Sequence, residues 1–141
     1  MKSSRRASLF IDSGGWIAVN VSRDKRNKAA SAFYKDDALN RYESLVTTNL
    51  VVAETHAYLL KAGGRGFALE FLSLLHSSTR VNVIYSTLEI ENSASRIIRN
   101  YQDQEFSLCD AVSFAVMKDM GIRDAFAFDT HFETAGFRML P

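Results

Sequence analysis

Four of the sixteen acidic residues stand where solvation does not account for them. Asp12 closes the apolar run Leu9-Phe10-Ile11 and is followed by Ser13 and the pair Gly14-Gly15. Glu54 lies among apolar residues, with Leu50, Val51, Ala57 and Tyr58 three and four positions away, the spacing of neighbours on a helix. A carboxylate buried on such a face needs a partner, because an uncompensated charge in an apolar setting is costly. Asp110 opens the most apolar helix of the chain, between Phe106 and Phe114, and Asp129 follows Phe126-Ala127-Phe128. Two of the acids also have a plainer reading. Asp12 can be a helix N-cap, and Asp110 stands at the third helical position after Ser107, where a capping box takes an acid.

A divalent cation accounts for all four at once. Carboxylates converging on one edge of a sheet repel and raise one another's pKa, and a hard oxygen-preferring ion, Mg²⁺ or Mn²⁺, removes that penalty. Zinc is not supported, since the one cysteine, Cys109, and the scattered His56, His76 and His131 have no zinc-ligand spacing. Mg²⁺ works commonly with phosphates, so the chemistry inferred is metal-assisted attack of water on a phosphodiester.

The elements that must position these acids follow from the apolar pattern. Leu9-Phe10-Ile11 is too short for a helix and reads as a strand buried on both faces, as in a parallel sheet. A helix follows from Gly14 to Asn20, then a basic loop, then a helix capped by Asp24 and running to about Asn40. Ser44–Thr48 is a second strand. Thr48 or Asn49 caps a helix over 50–62, which Gly63 and Gly64 close, and another helix covers 65–76. Val81–Tyr85 is a third strand, and Ser86-Thr87-Leu88-Glu89 opens a helix to about Gln102 as a capping box. The box Ser107–Asp110 leads into a buried helix to Met120, ended by Gly121. A fourth strand, 125–128, is closed by Asp129, which places it on the same sheet edge as Asp12; one helical turn and a last strand, 137–140, complete the chain. The alternation predicts one α/β domain, an α/β/α sandwich around a mostly parallel sheet of four to five strands, in which ligands bind at the carboxyl ends of the strands.

Composition excludes more than it assigns. A chain of 141 residues, 47% hydrophobic and 23% charged, is globular rather than disordered. Cys109 has no disulfide partner and reads as a small buried hydrophobe. Residues 1–7, with Lys2, Arg5 and Arg6, read as a basic flexible N-terminus ahead of a domain at 8–141. No stretch is long and apolar enough for a signal core or a membrane span, so the expected location is cytoplasmic. The net charge of +1 makes no global case for nucleic acid.

The segments Leu9-Phe10-Ile11-Asp12-Ser13, Val52-Ala53-Glu54, Ser107-Leu108-Cys109-Asp110-Ala111-Val112-Ser113-Phe114 and Phe128-Asp129-Thr130-His131-Phe132 together resemble the PIN-domain nuclease family. Within it the chain is most similar to VapC-type toxins of bacterial and archaeal toxin–antitoxin pairs. The resemblance covers essentially the whole chain, and its most specific parts are the Ser-Leu-x-Asp-Ala stretch and the Asp-x-His-Phe-x-x-Ala-Gly-Phe ending. It implies a Mg²⁺- or Mn²⁺-dependent endoribonuclease acting on single-stranded RNA, usually dimeric and restrained by a cognate antitoxin that covers the acidic site. Asp12, Glu54, Asp110 and Asp129 would then form the catalytic and metal-binding quartet. Asp12 and Asp110 would be direct ligands, Glu54 would hold a water or a second ion, and Asp129 would act at the rim or through water. Ser13 would support the site beside Asp12. The chain departs from the family where many members carry a further acid two residues after the fourth. Here His131 stands there, either to contact the substrate or to pack at a helix start, and packing is the expected role.

Arg23, Lys25, Arg26 and Lys28 follow the first helix and are candidates to contact phosphates beside the cut, though a solvated loop explains any one of them equally well. A haloacid-dehalogenase-like phosphatase is excluded because it needs a second Asp where Gly14 stands. Gly63-Gly64-Arg65-Gly66 lies between helices and is no phosphate loop, and no nucleophile elbow is present. The rival from another class is a non-catalytic PIN-like module for RNA binding or assembly, against which a buried Glu54 would argue.

Overall fold

Three large apolar residues in β1 (Leu9–Ile11) are fully buried, which requires cover on both faces of the sheet. The computed structural model describes residues 7–141. Lys2, Arg5 and Arg6 of the expected basic N-terminus lie outside the described residues. The sheet has five strands, β1, β2 (Leu45–Thr48), β3 (Val81–Ile84), β4 (Asp124–Phe126) and β5 (Arg138–Leu140), in the order β3-β2-β1-β4-β5. Every pairing is parallel. Strand-by-strand progress runs from β1 outward to β3, then jumps back across to β4. The switch point therefore lies between β1 and β4, and a crevice opens there at the carboxyl ends of the strands.

Register separates the two faces. Ile11 pairs with Phe126 and Phe10 with Ala125, so Phe10 and Phe126 project to opposite sides. Phe126 meets Phe33 edge-on at 4.8 Å, whereas Phe10 faces Phe132, itself edge-on to Phe114 at 5.0 Å. One side is thus covered by α1 (Ser13–Asn20), α2 (Asn27–Phe33) and α4 (Asn49–Ser77), with α2 and α4 both packed against α1. The other is covered by α5 (Leu88–Asn100), α6 (Leu108–Met120) and the single turn α7 (His131–Thr134). Right-handed crossovers produce this division once the strand order reverses. The α/β/α sandwich expected from the alternation is present, with the sheet parallel throughout.

Several local expectations shift. Asp24 does not cap α2; its carboxylate accepts from the Arg26 backbone N–H and closes the preceding turn, and Arg26 takes the N-cap position. That helix continues as a π segment, Tyr34–Ala38, into the short α3, Leu39–Arg41. Thr87, not Ser86, caps α5, accepting from Ile90, so no carboxylate completes a box there. Thr48 caps α4 by accepting from Val51. The two helices expected on either side of Gly63-Gly64 form one run, broken in angle at Gly64, whose φ of 87° is open to glycine alone at little cost. The box at Ser107 and Asp110 forms reciprocally as expected.

Among the described residues no helix is long and apolar enough to cross a membrane.

Candidate active site

The crevice at the switch point is a concavity of ≈ 290 Å³ lined by Asp12, Ser13, Gly14, Arg26, Glu54, Asp110, Phe128 and Asp129. Three helix starts and a loop deliver the acids. Asp12 is the first residue past β1 and the N-cap of α1, but its side chain makes no capping bond, leaving the carboxylate aimed at the crevice. Close approach of α1 to β4 lets it reach that position, since Gly15 packs so tightly that a Cβ there would lie 2.7 Å from the Phe126 carbonyl oxygen. Asp12 is 6% exposed. Burial pushes its carboxyl up to about 7, the negative charges of Asp110, Glu54 and Asp129 push the same way, and the Ser13 backbone amide opposes them.

Glu54 departs from the sequence expectation: it is exposed, not buried. The buried stripe of α4 is Val51, Thr55 and Leu59, spaced by four, and Glu54 stands one position aside, facing the crevice. Its carboxylate oxygen Oε1 accepts a hydrogen bond of 2.6 Å from the Ser13 hydroxyl, which links the start of α1 to α4. An exposed Glu54 no longer argues against a non-catalytic module by its burial. Its bond to Ser13, beside Asp12, is the feature that ties it to the site.

Asp110 forms the expected capping box and also borders the crevice. Its backbone N–H donates to the Ser107 hydroxyl and its Oδ2 accepts from the Ser107 N–H, while the same side chain borders the crevice, largely buried. Asp129 also corrects an expectation. Strand β4 ends at Phe126, so Asp129 sits in the loop beyond it and is exposed, with its Oδ1 accepting from the His131 backbone N–H at 2.9 Å. The loop nevertheless returns it to the same crevice.

Four features were not legible in the sequence. His131 packs at the start of α7 as expected, edge-on to Phe106 at 5.1 Å, and in addition sets its Nδ1 3.2 Å from Asp110 Oδ2 and 3.5 Å from Asp129 Oδ1. Cys109 is half-buried rather than fully buried; burial and the nearby Glu54, Asp12 and Asp110 push its thiol pKa up, so it stays protonated. Of the four basic candidates only Arg26 borders the crevice, its guanidinium 4.7 Å from the centre of the Phe128 ring. Arg23 is turned away and donates to the Ala62 carbonyl at 2.6 Å, next to the bend of α4. Lys25 and Lys28 are exposed and do not line the crevice. Phe128 itself carried no chemical signal in the sequence.

A larger cavity of ≈ 590 Å³ lies between the two halves of α4 and strand β3, with His56, His76 and Tyr85 among its lining. It is lined by no carboxylate and is mostly apolar, so the smaller, acidic crevice is the candidate for metal-dependent chemistry.

The donor set suits a hard divalent ion: up to four carboxylates converge, and the most buried is held partly protonated by its surroundings, a strain that a cation relieves. Asp110, Asp129 and His131 offer three ligand atoms that all lie within 4.8 Å of one another.

Comparison with known proteins agrees with this geometry. The PIN domain family description matches residues 9–138. The 23S rRNA-specific endonuclease VapC20 of Mycobacterium tuberculosis is 32% identical over 129 residues, spanning 92% of this chain and 95% of its own. The crystal structure of that protein, described as a Sarcin-Ricin loop cleaving toxin, superposes with a TM-score of 0.84 over the same shares. FitAcB from Neisseria gonorrhoeae, 16% identical, shares the fold with a TM-score of 0.67, covering 94% of this chain and 96% of its own. VapBC2 from Rickettsia felis, 11% identical, does so with a TM-score of 0.62, covering 94% and 97%.

Proposed function

Because the chain belongs to the PIN domain family, we propose that it is a metal-dependent endoribonuclease that hydrolyses phosphodiester bonds of single-stranded RNA, and the toxin of a type II toxin–antitoxin pair. The observation that carries this reading is the crevice where Asp12, Glu54, Asp110 and Asp129 meet, with Asp12 pushed up to about 7. The 32% identity to an RNA-cleaving toxin over nearly the whole chain supports it.

Asp12 and Asp110 would hold the ion, Mg²⁺ or Mn²⁺, and Glu54 and Asp129 would reach it through water. When bound, such an ion acidifies a coordinated water and neutralises charge on the phosphate. The chain does the rest. Ser13 locks Glu54 Oε1, leaving Oε2 to orient the attacking water and receive its proton. The Ser107 box anchors Asp110 to the helix start, so its carboxylate does not have to be ordered when the substrate arrives. Arg26 at the crevice, with the exposed Lys25 and Lys28 of the same stretch, would contact RNA phosphates flanking the cut, and Arg23 serves the bend of α4 instead.

The partners proposed are the RNA, a cognate antitoxin and a second copy of the chain. Tyr85, 65% exposed at the larger cavity, and Leu88, 78% exposed three residues on, provide apolar surface that a protein partner would cover.

The test is cleavage of 23S rRNA and of unstructured RNA by purified, antitoxin-free protein with Mn²⁺, Mg²⁺ or EDTA. Cutting is expected with metal only, and Asp110→Asn should lower it about 10³-fold, the loss of several kcal/mol of charge stabilisation. No cleavage of any RNA by the wild type would support the non-catalytic binding module. Equal cleavage by the variant would overturn the metal assignment.

A further inference from the structure

We propose that His131 is itself a metal ligand through Nδ1, and that this single nitrogen donor shifts the site's preference from Mg²⁺ toward first-row transition ions. The inference rests on the reading of the acidic crevice as a metal site, adds to it a ligand and a selectivity, and brings Asp129 Oδ1 from a water-mediated place into direct coordination.

The position is built rather than incidental. The His131 backbone N–H is bonded to Asp129 Oδ1 at 2.9 Å, which fixes the residue at the start of α7. The edge-on contact with Phe106, at 70° between rings, sets the plane of the imidazole. With the residue and its ring so held, Nδ1 lies 3.2 Å from Asp110 Oδ2 and 3.5 Å from Asp129 Oδ1. One ring nitrogen carries at most one proton and can satisfy only one of two carboxylates by donating to it. An ion satisfies both. Ligands at right angles on an ion with bonds of about 2.1 Å lie about 3 Å apart, close to the two separations observed. Nδ1 therefore stands to each carboxylate oxygen as neighbouring corners of one coordination sphere need to stand, and all three atoms lie within 4.8 Å of one another.

The chemistry of the donors gives the selectivity. An all-carboxylate site suits Mg²⁺, whereas imidazole is a poor ligand for Mg²⁺ and a good one for transition ions, whose affinity for a site with nitrogen and oxygen ligands rises from Mn²⁺ through Fe²⁺ to Co²⁺. His131 occupies a place where an acid would have kept the set entirely oxygen.

Calorimetric titration of the RNA-free protein with Mg²⁺, Mn²⁺ and Co²⁺ tests the selectivity, and electron spin-echo spectroscopy of the Mn²⁺ complex tests for a directly bonded nitrogen. The wild type should bind Co²⁺ on the order of tenfold or more tighter than Mg²⁺ and show nitrogen modulation. His131→Ala should weaken Co²⁺ about 10–100-fold, weaken Mg²⁺ far less and abolish the modulation, whereas His56→Ala and His76→Ala should retain it. His131→Asp should restore Mg²⁺ binding without the preference for Co²⁺. Mn²⁺ bound without nitrogen modulation, in a protein that still cuts RNA, would overturn the ligand role and leave the nuclease reading standing, with His131 acting only to orient Asp110. No saturable Mn²⁺ binding by the wild type would overturn both.

Discussion

Replacing Asp12 by Asn should make the metal-free protein more stable at alkaline pH, not less. Asp12 is 6% exposed, and its folded-state pKa of about 7 lies above the ordinary value of 3.8. Folding therefore favours the protonated acid. The stability this contributes is fully present below pH 3.8 and is lost as pH rises through about 7. Between pH 5 and pH 8 the wild type crosses about two pH units of that window, each worth about 1.36 kcal/mol. Its stability in EDTA should thus fall by about 3 kcal/mol relative to Asp12→Asn, or roughly 10 °C in Tm for a chain of this length. The negative charges of Asp110, Glu54 and Asp129 act in the same direction on Asp12, and the variant removes that repulsion. The Asp12 side chain makes no capping bond, so the variant loses no cap at the start of α1. Differential scanning calorimetry of both proteins across pH 5–8, with EDTA and then with saturating Mn²⁺, provides the measurement. Mn²⁺ should flatten the wild-type profile by favouring the ionised carboxylate, and should stabilise the variant much less. Parallel profiles of the two proteins in EDTA, or equal stabilisation by Mn²⁺, would refute the reasoning.

Three further outcomes follow from the same geometry. Glu54→Gln keeps an oxygen for the Ser13 hydroxyl at an exposed position, so thermal stability should stay within about 0.5 kcal/mol while metal-dependent cleavage falls about 10–100-fold. Arg26→Ala should lower kcat/KM for RNA about tenfold and reduce the slope of log affinity against log salt by about one, measured by fluorescence anisotropy with a non-cleavable strand. Gly15→Ala should destabilise the fold by about 1–3 kcal/mol in urea titration, because its methyl would meet the Phe126 carbonyl at 2.7 Å.

Much of the architecture is local in origin and so could be read residue by residue. Buried runs such as Leu9-Phe10-Ile11 must be strands covered on both sides, and their alternation with helices of period 3.6 leaves a parallel sheet as the one economical arrangement. The Ser107 box is a contact between neighbours in sequence and formed as expected. Boundaries were less secure where competing caps lie side by side: Thr87 prevailed over Ser86, and strand β4 stopped at Phe126 although Phe128 continues its pattern.

What the residues alone determined is therefore which carboxylates could do chemistry and the order in which strands and helices would bring them to one edge. The tertiary structure decided their environment. Glu54 has apolar neighbours in helical spacing, yet the core took Val51, Thr55 and Leu59 and left it facing Ser13 across the crevice. His131 meets Asp110, and Arg26 meets Phe128, only because α7 and the loop after β4 fold back over the starts of α6 and α2. Arg23, as basic as Arg26 and three residues before it, went to the bend of α4. Periodicity reports which side of an element is apolar, and that is a property of near neighbours. Which polar group ends up opposite which is set by the packing of distant elements, and no spacing along the chain encodes it.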